Sequence, residues 1–90
     1  MKKQMTKSEI AEAIEADKKF NEIFDNAVFM YKSYMMEDDE ALARFFSGQS
    51  AGLEWALQTL IIDDLFDFCF NDALHELVKE QADRELAALR

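Results

Sequence analysis

The absence of proline is the feature that most constrains how this chain can fold, and it goes with only two glycines in 90 residues. Many hairpin turns depend on these two residue types, whereas the helix formers Ala, Leu, Glu, Lys and Met are plentiful. Half of the residues are hydrophobic, which is too many for a disordered chain. The sequence therefore predicts an all-α fold, a small bundle of four to five helices that forms a single helical domain over residues 1–90.

The first half of the chain carries the pattern of two amphipathic helices. Thr6 and Glu9 have the spacing of a capping box, so a helix is predicted to begin near Lys7. Apolar residues then recur at helical spacing over residues 20–35. No glycine or proline marks a break between the two stretches, and we favour a bend near Asp17 over one continuous helix.

The two glycines predict the one loop in the middle of the chain. A short helix over residues 41–46 is expected to end at Gly48, in a left-handed conformation that a Cβ atom would disfavour. The loop would extend to Gly52, and Ser50 is placed to cap the next helix. Whether residues 50–90 form one helix or two is left open by the pattern.

A separate last helix would begin at Asn71 or Asp72, either of which can act as an N-cap. Helical periodicity then predicts a stripe that packs against the rest of the bundle. The members of this predicted buried stripe are Leu74, Leu77, Val78, Ala82, Leu86 and Leu89.

The charge of the chain excludes several classes of function. Nineteen acidic residues against ten basic ones give a formal net charge of −9, which argues against direct binding to nucleic acid or to an anionic membrane. The longest apolar runs are far shorter than a membrane span, and no signal peptide is visible. The single cysteine, Cys69, cannot form an intramolecular disulfide, so a cytoplasmic protein is expected.

Three aspartates form the first group of candidate binding residues. Asp63, Asp64 and Asp67 share one sector of a helical wheel on which most other positions from 61 to 70 are apolar. Carboxylates at these spacings repel one another, and no Lys or Arg occurs between residues 45 and 78 to neutralise them. A solvated helix face accounts for them, and three functional hypotheses compete with that interpretation.

The run Glu37, Asp38, Asp39 and Glu40 forms the second group of acidic candidates. Its simplest interpretation is a helix start, where Asp38 or Asp39 caps and the other carboxylates lie near the positive end of the helix dipole. As an exposed cluster, the run also extends the predicted acidic binding surface.

One hypothesis is a metal site. Asp63, Asp64 and Asp67 form the pattern D-D-x-x-D, which resembles the Mg²⁺-binding motif of isoprenoid synthases. The resemblance covers five residues and implies a large helical cavity. Ninety residues are too few to enclose such a cavity.

A second hypothesis also involves Mg²⁺. Glu37 and Glu40 match the first E-x-x-E pair of MazG-type nucleotide pyrophosphohydrolases, and Asp64 with Asp67 loosely matches the later E-x-x-D pair. The resemblance implies that all four carboxylates bind Mg²⁺ and that the substrate is a nucleoside triphosphate. Asp64 stands where that family has glutamate, and Glu37 and Glu40 are predicted at a helix start rather than inside a helix.

The preferred hypothesis is mimicry of a nucleic-acid backbone. Regularly spaced carboxylates on a rigid helical surface can occupy the basic groove of a partner protein. Such a protein needs no cofactor, and no catalytic arrangement is apparent, so we expect a binding protein rather than an enzyme. Small acidic helical proteins of this kind resemble phage or plasmid counter-defence proteins, including anti-restriction and anti-CRISPR inhibitors.

Two aromatic residues are candidate apolar anchors. Phe29 falls among polar residues on the face of its helix opposite the apolar stripe, and Trp55 poses the same question. Each could contact a partner or a second copy, and the alternative is that another helix of the same chain covers it. The alternative function is a structural or assembly protein that forms a homodimer through an apolar face. His75 is predicted to be structural or solvated, and the alternatives are a place in a metal site or a pH-sensitive role.

Overall fold

The structure is a computed structural model that describes residues 6–62 and 72–89. These residues form four helices and no strand, which confirms the predicted all-α class and fits a small helical bundle. None of these helices combines the length and the apolar character needed to cross a membrane. The helices are α1 (Lys7–Ala16), α2 (Lys18–Met36), α3 (Glu40–Ile62) and α4 (Asp72–Ala88).

The first two helix boundaries are set by side chains next to them in the sequence. The Thr6 hydroxyl accepts a hydrogen bond from the Glu9 amide at 3.2 Å, and the Glu9 carboxylate accepts one from the Thr6 amide at 3.1 Å. Asp17 has an extended backbone and accepts from the amides of Lys19 and Phe20 at 2.8 and 3.2 Å. The predicted capping box and the break near Asp17 are therefore both confirmed.

The predicted loop between Gly48 and Gly52 is wrong, and so is the short helix over residues 41–46. α3 runs through both glycines, and neither adopts a left-handed conformation. Each glycine inside a helix is about 1 kcal/mol less favourable than alanine. Leu57 is fully buried. Burial of its side chain contributes roughly 2 kcal/mol to stability, which can offset the penalty of the glycines.

The loop prediction required Ser50 to cap the next helix, but Ser50 does not cap a helix. It lies on the inner side of α3, and its hydroxyl donates a hydrogen bond to the backbone carbonyl of Ala27 on α2 at 3.1 Å. Because both groups lie between two packed helices, this bond fixes the register of α3 against α2. Tertiary packing has therefore overridden the local preference of a serine between two glycines.

Within the described residues, the core consists of two groups of buried side chains. The first joins α1, α3 and α4, and the second joins α2 and α4. Phe24 packs against both groups and so links them. The members of the first group are Ile10, Ile14, Leu57 and Leu74, and those of the second are Ala27, Val28, Val78 and Ala82.

The stripe predicted for the last helix is buried over most of its length. α4 begins at Asp72, and Leu74, Val78 and Ala82 are buried as predicted. Leu89 is 76% exposed, contrary to the prediction, because α4 ends at Ala88 and Leu89 belongs to a closing turn. Within the described residues, α3 and α4 are separate helices.

Candidate binding surface

The turn between α2 and α3 is held by its own carboxylates. Asp39 accepts hydrogen bonds from the amides of Ala41 and Leu42 at 2.9 and 3.1 Å, so it is the N-cap of α3. Glu37 accepts from the Asp39 amide at 3.1 Å. Two of the four candidate acids in this run therefore hold the backbone in place, and the prediction that Asp38 or Asp39 caps the helix is confirmed for Asp39.

The other two acids of the turn differ in how they are engaged. Glu40 forms an exposed ion pair with Arg44 one turn later, at 2.7 Å. Asp38 is exposed and has no hydrogen bond or ion pair within residues 6–62 and 72–89. Of the four carboxylates at the turn, Asp38 is thus the one most available to a partner.

Only two of the four carboxylates that the MazG resemblance implies as Mg²⁺ ligands lie among the described residues. Asp63, Asp64 and Asp67 lie outside the described residues. Glu37 and Glu40 are engaged by a backbone amide and by an arginine. In the part of the chain that the structure describes, no group of three or more His, Cys, Asp or Glu side chains is placed to hold a metal ion.

The face of α2 that points away from the core combines an aromatic with acidic residues. Phe29 is 58% exposed, and Met36 is exposed two turns further along the helix. Glu22 and Asp25 precede Phe29 by seven and four residues, which places them on the same side of the helix. Glu22, Asp25, Phe29, Met36 and the adjoining Asp38 are called the α2 outer face below.

The two helix acids of the α2 outer face have no partner within residues 6–62 and 72–89. Glu22 and Asp25 are exposed and form no hydrogen bond or ion pair with any described residue. In contrast, Lys32, which lies toward α4, is paired with Glu85 at 3.0 Å. Lys18 stands one turn before Glu22, at the N-terminal end of this face.

A buried polar line on the inner side of α3 was not predicted. Ser50, Glu54 and Gln58 are all buried and follow one another at intervals of four residues. Both carboxylate oxygens of Glu54 lie 3.1 Å from Nδ1 of His75 on α4. The signal in the sequence was polar residues repeating every four positions through an otherwise apolar helix.

Within the Glu54–His75 pair, the surroundings of the Glu54 carboxyl group change its pKa. Burial raises the pKa of the Glu54 carboxyl above its ordinary value, and the hydrogen bond and charge of His75 act in the opposite direction. The ring of Tyr31 meets the imidazole edge-on, with centroids 6.0 Å apart. The pair therefore joins α3 to α4, and the structural interpretation of His75 is the one supported.

The outer side of α3 carries the second predicted aromatic anchor. Trp55 is 50% exposed and Phe45 is 56% exposed. Gly48 and Gly52 lie between them on the same side of the helix, and both are exposed. We call these four residues the α3 seam.

Comparisons with protein-family models, with curated proteins and with solved structures found no match to this chain.

Proposed function

We propose that this chain is a non-enzymatic cytoplasmic binding module that engages a protein partner with a basic surface through the α2 outer face. The observation that carries the proposal is the exposure of Phe29 next to carboxylates that pair with no other described residue. Exposed aromatics surrounded by polar residues are typical anchors of protein interfaces. The net charge of −9 favours a basic partner over nucleic acid or an anionic membrane.

The mechanism that we propose is mimicry of nucleic-acid charge. Glu22 and Asp25 are one turn apart, and about 20 Å of helix separates Glu22 from the turn that holds Asp38. A basic groove that binds phosphates can accept carboxylates arranged along such a ridge and release the same counterions. This would make the chain an inhibitor of a nucleic-acid-binding protein, of the anti-restriction or anti-CRISPR kind.

Salt and competing DNA provide the first test. A partner captured from lysate on the immobilised chain at about 50 mM salt is expected to elute at about 200 mM salt, because binding through several charges weakens steeply over this range. It should also elute with duplex DNA at constant salt, since DNA would compete for the same groove. Mass spectrometry of the eluates identifies the partner.

A matched pair of triple variants controls that experiment. Glu22→Gln, Asp25→Asn and Asp38→Asn together should lower capture at least tenfold. Removing the same charge elsewhere, with Glu12→Gln, Glu15→Gln and Asp83→Asn, should have little effect. Equal capture by both variants, or a partner that duplex DNA cannot displace, would argue against mimicry through this face.

Phe29 allows binding and stability to be separated. Phe29→Ala is expected to melt close to the parent, because the side chain is mostly exposed. Phe24→Ala should melt well below it, because Phe24 packs against both parts of the core. Loss of an interface anchor typically weakens binding by 2 kcal/mol or more, about thirtyfold. A large drop in melting temperature for Phe29→Ala would remove this residue from the proposed surface.

A further inference from the structure

The α3 seam lies on the side of its helix opposite the side that packs on α2. Ser50, midway between the two glycines, points inward and donates its hydrogen bond to Ala27, so the seam residues at positions 45, 48, 52 and 55 point outward. Their spacing of three, four and three residues is that of the a and d positions of a heptad. This is the spacing by which one helix packs along another.

The seam differs from the rest of the surface in carrying no charge. Between Phe45 and Ile62 the only ionisable side chain is Glu54, and it is buried on the inner side of α3. The remainder of the chain is strongly acidic. A basic partner would gain no charge pairing at the seam, whereas a second acidic copy could approach here without opposing carboxylates in the contact.

The order of residues along the seam is symmetric about position 50. Phe45 and Trp55 each lie five residues from that point, and Gly48 and Gly52 each lie two residues from it. In an antiparallel pair with its twofold axis at position 50, Phe45 of one copy meets Trp55 of the other, and Gly48 meets Gly52. An interface between identical copies requires this self-complementarity.

Among the described residues, no packing contact explains the two glycines. A β-carbon added at either position would meet nothing within 4 Å, so packing inside the described residues does not require glycine there. Glycine is also less favourable than alanine inside a helix. Between two helices, however, glycine permits a close approach of the backbones and leaves room for the aromatic rings at either end.

We propose that the chain forms a homodimer in which the α3 seams of two copies pack against each other in antiparallel orientation. Phe45 and Trp55, which are both half-exposed, supply most of the apolar contact. One helix face from each copy gives an interface at the small end of the known range. We therefore expect a dissociation constant on the order of 10 to 100 μM.

Sedimentation velocity tests the dimer over about 5 to 500 μM protein. The mass is expected to rise from 10.5 kDa toward twice that value as concentration increases. Higher salt should strengthen the dimer, because it screens repulsion between two acidic copies. The proposed binding of a basic partner responds to salt in the opposite direction, so the failure of one proposal can be told from the failure of the other.

Two substitutions locate the interface. Trp55→Ala should weaken the dimer at least tenfold, and Phe29→Ala, on another helix, is the matched control that should leave it intact. The double variant Gly48→Ala, Gly52→Ala discriminates further. It should weaken the dimer at least tenfold by separating the helices, while raising the melting temperature of dilute monomer by about 3 to 6 °C per site through higher helix propensity.

Three results would overturn the proposal. The first is a parent chain that stays monomeric at 500 μM with its helical circular dichroism intact. The second is a dimer that Trp55→Ala and the double glycine variant leave unchanged, since the contact would then lie elsewhere. The third is a large drop in melting temperature for Trp55→Ala at dilute concentration, which would mean that residues of the same chain cover the seam.

Discussion

Leu57→Ala is expected to lower the free energy of unfolding by about 3 to 5 kcal/mol, the range for a fully buried leucine that leaves a cavity. Leu57 has no exposed surface, and it packs with Ile10 and Ile14 of α1 and with Leu74 of α4. Its truncation therefore weakens contacts among three helices. For a domain of this size the melting temperature should fall by about 12 to 30 °C, as measured by circular dichroism.

Leu60→Ala is the control for that experiment. Leu60 lies on the same helix three residues later, but its side chain is 53% exposed. Truncation of an exposed leucine changes stability by little, so this variant should melt within a few degrees of the parent at dilute concentration. If the two variants melted alike, the assignment of Leu57 to the interior of the bundle would be wrong.

Glu54→Gln is expected to change how the stability of the protein depends on pH. Burial raises the pKa of Glu54 above its ordinary value of 4.5, so the folded state holds this proton more tightly than the unfolded state. The associated stability is present below pH 4.5 and is lost as the pH rises through the folded-state pKa. Glutamine cannot ionise. The melting temperature of Glu54→Gln should therefore increase relative to that of the parent as the pH rises from 4.5 toward neutrality.

Glu12→Gln provides the control for loss of one negative charge, because Glu12 is exposed on α1. At each pH, the change in melting temperature caused by Glu54→Gln is compared with the change caused by this control. A change for Glu54→Gln that is the same at every pH would mean that Glu54 is solvated in solution. The comparison needs only thermal melts at four or five pH values.

Substitution of His75, the partner of Glu54, should reveal the same interaction between the two side chains. His75→Ala removes the group that lies 3.1 Å from both Glu54 oxygens, and leaving a buried polar group without its partner costs about 1 to 3 kcal/mol. In the Glu54→Gln background the same truncation should cost less, because no buried charge remains. A double-mutant cycle with a coupling energy near zero would mean that the two side chains do not interact.

The two surfaces proposed for binding lie on different helices, so one does not prevent use of the other. The α2 outer face combines one aromatic with carboxylates that pair with no other described residue, whereas the α3 seam is apolar and uncharged. A dimer through α3 would present two copies of the α2 outer face to a partner. Two linked copies would bind a long basic groove more tightly than one copy.

Features that depend on neighbouring residues could be predicted from the sequence. The capping box of Thr6 and Glu9, the break at Asp17 and the cap at Asp39 each involve a side chain and a backbone amide no more than three residues away. Such bonds form within a single turn of chain, so their geometry is the same whatever the rest of the fold does. The exposure of Phe29 could also be predicted, because helical periodicity alone places this residue opposite the apolar stripe.

Tertiary structure decided the features in which local preference and packing disagree. The two glycines favoured a loop, but α3 stays helical across them because its inner side packs along α2. The contact between Glu54 and His75 joins residues 21 positions apart on different helices, and periodicity could not show which helix faces which. A helical pattern predicts the angle of each residue about the axis of its helix. Only the packing of helices against one another determines which of those angles are buried and which remain open to a partner.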